Sequence, residues 1–407
     1  MKKFILLMPL RAYLIPFFFL LLASSCSKDK DSPTVVDQAT QTDHSKSKQL
    51  RQFLQVNLVA NEACYGASRI DPTLINGWGI AFSPTGTPWV NSQGGHVSDV
   101  YDREGAQVLP PVHIPSPGGN EGGNPTGISF NSNAADFIIP SGNAAPPSAA
   151  RFIFVGVDGI LSAWNGTWGN HAYLKYNNSA TSAYTGLTLA SNAGNNYLYA
   201  ANFRTRSIDV WDRNWNPVSM PFADWHIPSG YAPFNIQVVN GQLYVMYAKV
   251  GPDGRSQAGQ GKGFVNIFTT SGQFVKRFAS KDKLNAPWGV AMAPASFFDG
   301  DMVEDDNKGH GNNHHELTPQ PAILVGNFGD GRINAYSLQG KFLGQIRKHG
   351  RPLEIDGLWA ITFAPTTSTI DPDRLYFAAG PDLERDGLFG YIIKDSTRHQ
   401  NGGHGQD

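Results

Sequence analysis

The residues suited to chemistry fall into two sets. The first is a dense polar tract in which Glu304, Asp305, Asp306, His310, His314, His315 and Glu316 crowd together. Imidazoles beside carboxylates supply the nitrogen and oxygen donors that a transition metal takes. The spacing follows no fixed metal-site pattern, and Gly309 and Gly311 between the donors suit a solvated loop equally well. The second set is scattered singly along the chain: Asn76, Trp78, Asn124, Thr126, Tyr184, Asn202, Arg204, Asn235, Trp288, Asn327, Asp330, Asp356 and Trp359. Asp356, Asn235 and Asn202 offer hard oxygens of the kind Ca²⁺ takes. The indoles offer stacking surfaces. Each has a structural alternative: Asn202 and Asn327 sit in Ala/Gly-Asn-Phe phrases where an amide can close a turn, and the three tryptophans recur at equivalent positions, as packing residues between repeats would. The Gly/Gln-rich stretch 251–263, with Arg255 and Lys262 inside it and Lys249 just before it, reads as a solvated loop able to rim an anionic ligand. No nucleophile elbow, P-loop, dinucleotide fingerprint or zinc-protease helix is present. The glycines of 118–123 precede no helix that could cradle a phosphate.

The elements that carry these residues are strands. Glycine at 44 and proline at 27 in 407 residues exclude long helices and suit short strands joined by tight turns. Lys+Arg at 32 against Asp+Glu at 33 excludes a global basic field, so no nucleic-acid partner is expected. One phrase recurs six times, a turn residue and a glycine or small residue followed by alternating apolar positions: 77–82, 125–130, 184–189, 233–238, 287–292 and 358–363. Its anchors, at positions 79, 127, 186, 235, 289 and 360, lie 48 to 71 residues apart. That approaches the roughly 40–50 residues of a four-stranded propeller blade. The longest interval contains the polar tract of 299–318. Each phrase is followed by second and third alternating segments, and five of the six by a fourth. The sixth stops near Ile393, and the segment 52–59 ahead of the first phrase is free to supply its missing strand, which would hide both sheet edges. The prediction is an all-β fold, a six-bladed β-propeller over 49–394 whose last blade is closed by an N-terminal strand.

The N-terminus carries an address. Lys2 and Lys3 precede an apolar stretch that ends in Ala23-Ser24-Ser25-Cys26, the order of a secretory signal. Pro9, Arg11 and Pro16 interrupt the run that a membrane-spanning helix needs. The small residues before Cys26 resemble the lipobox of bacterial lipoproteins, which implies a signal peptide over 1–25 and lipidation of Cys26. The polar tract 26–48 reads as a tether and 395–407 as a disordered tail. A membrane partner held through that lipid follows, with the domain in the cell envelope as an outer-membrane lipoprotein exposed at the surface. Cys64 is the other cysteine, so a disulfide inside the domain is excluded, and a buried free thiol is expected.

The phrases Asn76-Gly77-Trp78-Gly79-Ile80-Ala81-Phe82, Tyr199-Ala200-Ala201-Asn202-Phe203-Arg204, Gly230-Tyr231-Ala232-Pro233-Phe234-Asn235-Ile236, Val325-Gly326-Asn327-Phe328-Gly329-Asp330-Gly331 and Asp386-Gly387-Leu388-Phe389-Gly390 together resemble an uncharacterised family of exported bacterial six-bladed propellers. Some members of that family end in PEP-CTERM sorting tails. The resemblance implies the fold and brings no established activity. Propellers generally meet ligands on the face built by the loops that lead into the innermost strands and join the second and third strands. This places Asn76, Trp78, Tyr184, Asn202, Arg204, Asn235, Trp288, Asn327, Asp356 and Trp359 around one channel mouth. The expected function is a binding module for a ligand, a surface protein or a glycan. The alternative is a metal-dependent hydrolase or lactonase with Ca²⁺ in the channel. Lactonase-type propellers use a Glu, two Asn and an Asp, and no loop leading into an inner strand offers that Glu here.

Overall fold

The computed structural model describes residues 50–298 and 319–395. The segments 1–25 and 26–48, Cys26, the histidine-rich tract 299–318 and the tail beyond 395 lie outside the described residues.

The described residues form a six-bladed β-propeller. Each recurring phrase is the innermost strand of a blade: Gly77–Phe82, Pro125–Phe130, Tyr184–Asn192, Tyr231–Val239, Pro287–Ala293 and Leu358–Phe363. Five blades are antiparallel four-stranded sheets in which strands follow one another outward, with the local order of a meander. In the sixth, Leu358–Phe363, Leu375–Ala379 and Leu388–Lys394 are completed by Phe53–Ala60, which pairs antiparallel with Leu388–Lys394 in the register Phe53↔Lys394 to Ala60↔Leu388. A short fifth strand, Arg69–Ile70, adds parallel to it. Residues from the two ends of the domain thus share one sheet, which pairs the edges that would otherwise template aggregation.

The recurring glycine has a steric cause. A Cβ on Gly79 would lie 2.3 Å from the Thr126 carbonyl oxygen of the next blade, and one on Gly127 would lie 2.5 Å from the Leu187 amide nitrogen of the blade after. Neighbouring inner strands therefore approach so closely around the axis that a side chain at these positions would collide with backbone. Blade faces pack through alternating Val, Ile, Leu and aromatic residues, while the axis is filled from within by Trp78, Phe203, Phe234, Trp288 and Trp359. Outside the blades are a hairpin of Ile138–Ile139 with Ser148–Ala149 and another of Pro115–Ser116 with Gly119–Gly122. The latter contains the glycines of 118–123. Cys64 lies in the 3₁₀ turn Ala63–Tyr65 and is exposed, not buried. The turn links Phe53–Ala60 to Arg69–Ile70; Tyr65 packs inward with its hydroxyl donating to Asp386 at 2.6 Å, which leaves Ala63 and Cys64 facing solvent.

Candidate functional site at the channel mouth

The loops between second and third strands of the blades converge over the inner-strand ring and enclose a cavity of about 520 Å³, within the range of small-molecule sites. Its floor is aromatic. Trp78 and Trp359 stack with ring centroids 3.5 Å apart, and Phe328 stacks on the other face of Trp359 at 3.9 Å. Phe234 packs against Trp359 at 5.7 Å and Phe203 against Phe234 at 5.3 Å. Below them Trp288 reaches across the axis and donates its indole N–H to the Thr185 carbonyl of blade 3 at 2.8 Å.

The floor is fixed by hydrogen bonds that run from blade to blade. The Trp359 indole donates to Asn76 Oδ1 at 2.8 Å, and Asn76 Nδ2 donates to Gln93 Oε1 and Glu384 Oε2, both at 3.0 Å. Gln93 passes the chain on to Asn124 Oδ1 at 2.9 Å, and the Asn124 backbone N–H reaches Asp158 at 2.9 Å. Burial raises the pKa of both Glu384 and Asp158. For Glu384, Arg255 and the Asn76 amide pull in the opposite direction. The Trp78 indole N–H is buried and makes no hydrogen bond among the described residues, although such a donor is normally satisfied.

The wall above the floor is cationic. Arg204, Arg206 and Arg255 line the cavity together with Asp253 and Glu384. Glu384 is held by an unusual backbone. Asp382, Leu383 and Glu384 have φ of 53°, 58° and 68° in succession, a left-handed turn that costs each L-residue about 1–2 kcal/mol. Strain of this kind concentrates at functional sites.

Of the residues singled out in the sequence, Trp78, Trp359 and Arg204 line the cavity and Asn76 braces it from beneath. The others are elsewhere. Asn202 closes a turn, accepting from the Ala183 and Thr205 amides and donating to Asp209 at 2.9 Å. Asn327 does the same with the Asn285 amide, the Lys283 carbonyl and Asp330. Asn235 is fully buried, donates to the Trp288 carbonyl at 2.9 Å and accepts from Ile236 N–H. Its side chain occupies the space beside Gly186, where a Cβ would lie 2.0 Å from Asn235 Oδ1. Tyr184 is buried with its hydroxyl accepting from Asn178, and burial pushes its pKa up to about 12. Asp356 is exposed and accepts from the Asp382 amide at 2.9 Å, so it buttresses the strained turn. Asp356, Asn235 and Asn202 therefore do not converge on the cavity. No group of three or more His, Cys, Asp or Glu side chains placed to hold a metal occurs among the described residues.

Gln93, Phe203, Phe234, Arg206 and Glu384 were not singled out in the sequence, and Arg255 was marked only as loop charge. Five of these six, Gln93, Phe203, Arg206, Arg255 and Glu384, sit on loops joining second to third strands. The signal available was their shared position in the repeat. A carboxylate does reach the mouth, from blade 6's loop at Glu384, although none comes from the segments leading into the inner strands.

The fold and its mouth define a six-bladed propeller with a ligand-sized axial cavity. No family model matches the chain. It belongs to the family of the uncharacterized protein L690 of Acanthamoeba polyphaga mimivirus, with 33% identity over 355 residues that cover 84% of this chain and 86% of that protein. The uncharacterized protein R648 of the same virus is 31% identical over 84% of this chain and 81% of its own length. These relatives are viral, not the exported bacterial proteins that the phrases resemble. Among solved structures, virginiamycin B lyase from Staphylococcus aureus is similar at 12% identity, over 84% of this chain and 99% of that one, with a TM-score of 0.45.

Proposed function

We propose that the protein is a binding module that takes a small molecule in the channel-mouth cavity. The observation that carries this reading is a ligand-sized cavity that ends on a packed aromatic floor and is ringed by polar groups on rigidly paired loops. Such a combination of apolar base and few polar walls is what small-molecule sites use for affinity and orientation. The hydrolase reading ranks second, because Asn202 and Asn235 spend their amides on protein partners. The test is a fragment screen by ligand-detected NMR on the wild type and on Ala183→Trp, which fills the cavity from its wall. Hits lost in the filled variant support the reading. Hits that persist, or none at all, overturn it.

We also propose that the propeller is exported and held at an envelope membrane through a lipid on Cys26, a reading supported by the order of charge, apolar run and small residues before it. Cys26→Ser should then move the protein from the membrane fraction to the soluble fraction. An unchanged distribution would refute the anchor.

A further inference from the structure

We propose that the cavity's ligand is a small organic anion, a carboxylate or phosphate ester, carried on a flat apolar body. The inference rests on the binding-module reading and adds the chemical class. Arg204, Arg206 and Arg255 all line one cavity, and none of the three forms an ion pair among the described residues. Arg204 spends one N–H on the Ser179 carbonyl at 3.0 Å, which holds the side chain in place and leaves its charge uncompensated. The two carboxylates beside them, Asp253 and Glu384, leave the three guanidiniums in excess by one. Asp253 accepts from the Arg255 backbone N–H at 3.0 Å, and Glu384 accepts from Asn76. Guanidinium forks bind carboxylate and phosphate oxygens in pairs, so the wall has the donors and the charge for an anion.

The floor specifies the rest of the molecule. Trp78 is 5% exposed and Phe234 3% exposed, so the base is a packed aromatic surface without charge. A ligand with an apolar ring downward and an anionic group upward satisfies both levels at once.

The test is titration calorimetry of the full chain at two salt concentrations with four probes of similar shape: indole-3-acetate, phenyl phosphate, neutral indole and tryptamine. Inorganic phosphate is a fifth. The expected result is tightest binding by the ring-bearing anions, at least tenfold over indole, weakening as salt rises and lost in Arg204→Ala/Arg206→Ala. The retained melting curve of that double variant, whose changes lie on exposed residues, separates lost binding from lost fold. Equal or tighter binding of indole or tryptamine in a manner blocked by Ala183→Trp would overturn the anionic class and leave the binding module standing. Inorganic phosphate matching phenyl phosphate would overturn the apolar body. Silence from all five probes, with no fragment hit in the cavity, would overturn both proposals.

Discussion

Two polar clusters of this molecule use the same residue types to opposite ends. In blade 1, Asp71, Asp99, Thr73 and Tyr101 form a sealed knot: Asp71 is 5%, Asp99 1% and Tyr101 0% exposed. The Tyr101 hydroxyl donates to Asp71 at 3.1 Å, and the Thr73 hydroxyl lies 2.6 Å from Asp71 and 2.9 Å from Asp99. Burial, followed by the nearby Asp71 charge, pushes the Asp99 pKa up to about 8. At the channel mouth Asn76, Gln93 and Glu384 form a network of similar size, but it stands beside a cavity and beside three guanidiniums without ion-pair partners. The sealed cluster answers to its own members and to Arg69, whose guanidinium lies 3.8 Å from Asp71, and lines no part of the channel-mouth cavity. The open cluster leaves guanidinium charge unspent beside a cavity, and that surplus is what a ligand can use. Polar density alone does not mark a site; unspent capacity beside a cavity does.

Breaking the open region at its centre should have the largest effect. Trp359 touches Trp78, Phe234, Trp288 and Phe328 and anchors Asn76. Trp359→Ala should cost about 3–5 kcal/mol, as large-to-small changes of buried aromatics do, read as a fall in the urea midpoint. A loss under about 1 kcal/mol would mean that the floor is not held by this residue. Next comes a turn amide remote from the cavity lining. Asn327→Ala leaves the buried Asn285 N–H without its acceptor, while the Lys283 carbonyl keeps Asn334, and should cost about 2 kcal/mol. An unchanged midpoint would return Asn327 to the pool of candidate ligand groups.

The sealed cluster is tested by pH. Asp99 holds its proton in the folded state up to about pH 8, whereas its ordinary value is 3.8. The unfolded chain therefore binds fewer protons between those values, and stability falls as pH rises through this window and levels off above it. Asp99→Asn, which stays neutral, should flatten that fall, removing on the order of 1–2 kcal/mol of pH dependence between about pH 6.5 and 8. Parallel slopes for the two proteins would show that Asp99 ionises normally.

The propeller was legible because its glycine-centred phrase answers to one repeated steric demand. Gly79 and Gly127 are required by the next inner strand, and the segment 52–59 had no other partner than the incomplete sixth repeat. The site was legible only where side-chain type and repeat position agreed, as for Trp78, Trp359 and Arg204. Asn202, Asn235 and Asn327 show the limit. An amide that closes a turn and one that holds a ligand are the same residue, and only the hydrogen-bond partners separate them. Gln93, Arg206 and Glu384 lie on loops whose paths depend on neighbouring blades, which local periodicity does not encode. Cys64 was misread as buried for a related reason, since its turn leaves the sheet between two paired strands.

The smallest effect tests the device that holds Glu384 at the mouth. Leu383 has φ of 58° and is 84% exposed, so its side chain adds backbone strain with little packing in return. Glycine relieves a left-handed position worth about 1–2 kcal/mol, and roughly half of that gain is offset by the greater freedom of the unfolded chain. Leu383→Gly should therefore stabilise the protein by about 0.5 kcal/mol with an unchanged denaturant slope. The neighbouring hydrogen bonds, Asp356 to the Asp382 amide and Glu384 to Asn76, involve no Leu383 atom and should survive. A loss of stability would place the isobutyl group in a contact of its own. A gain would mean that the turn carries strain at 383 while its shape is set by the bonds on either side, the arrangement needed to keep a half-buried carboxylate beside three arginines.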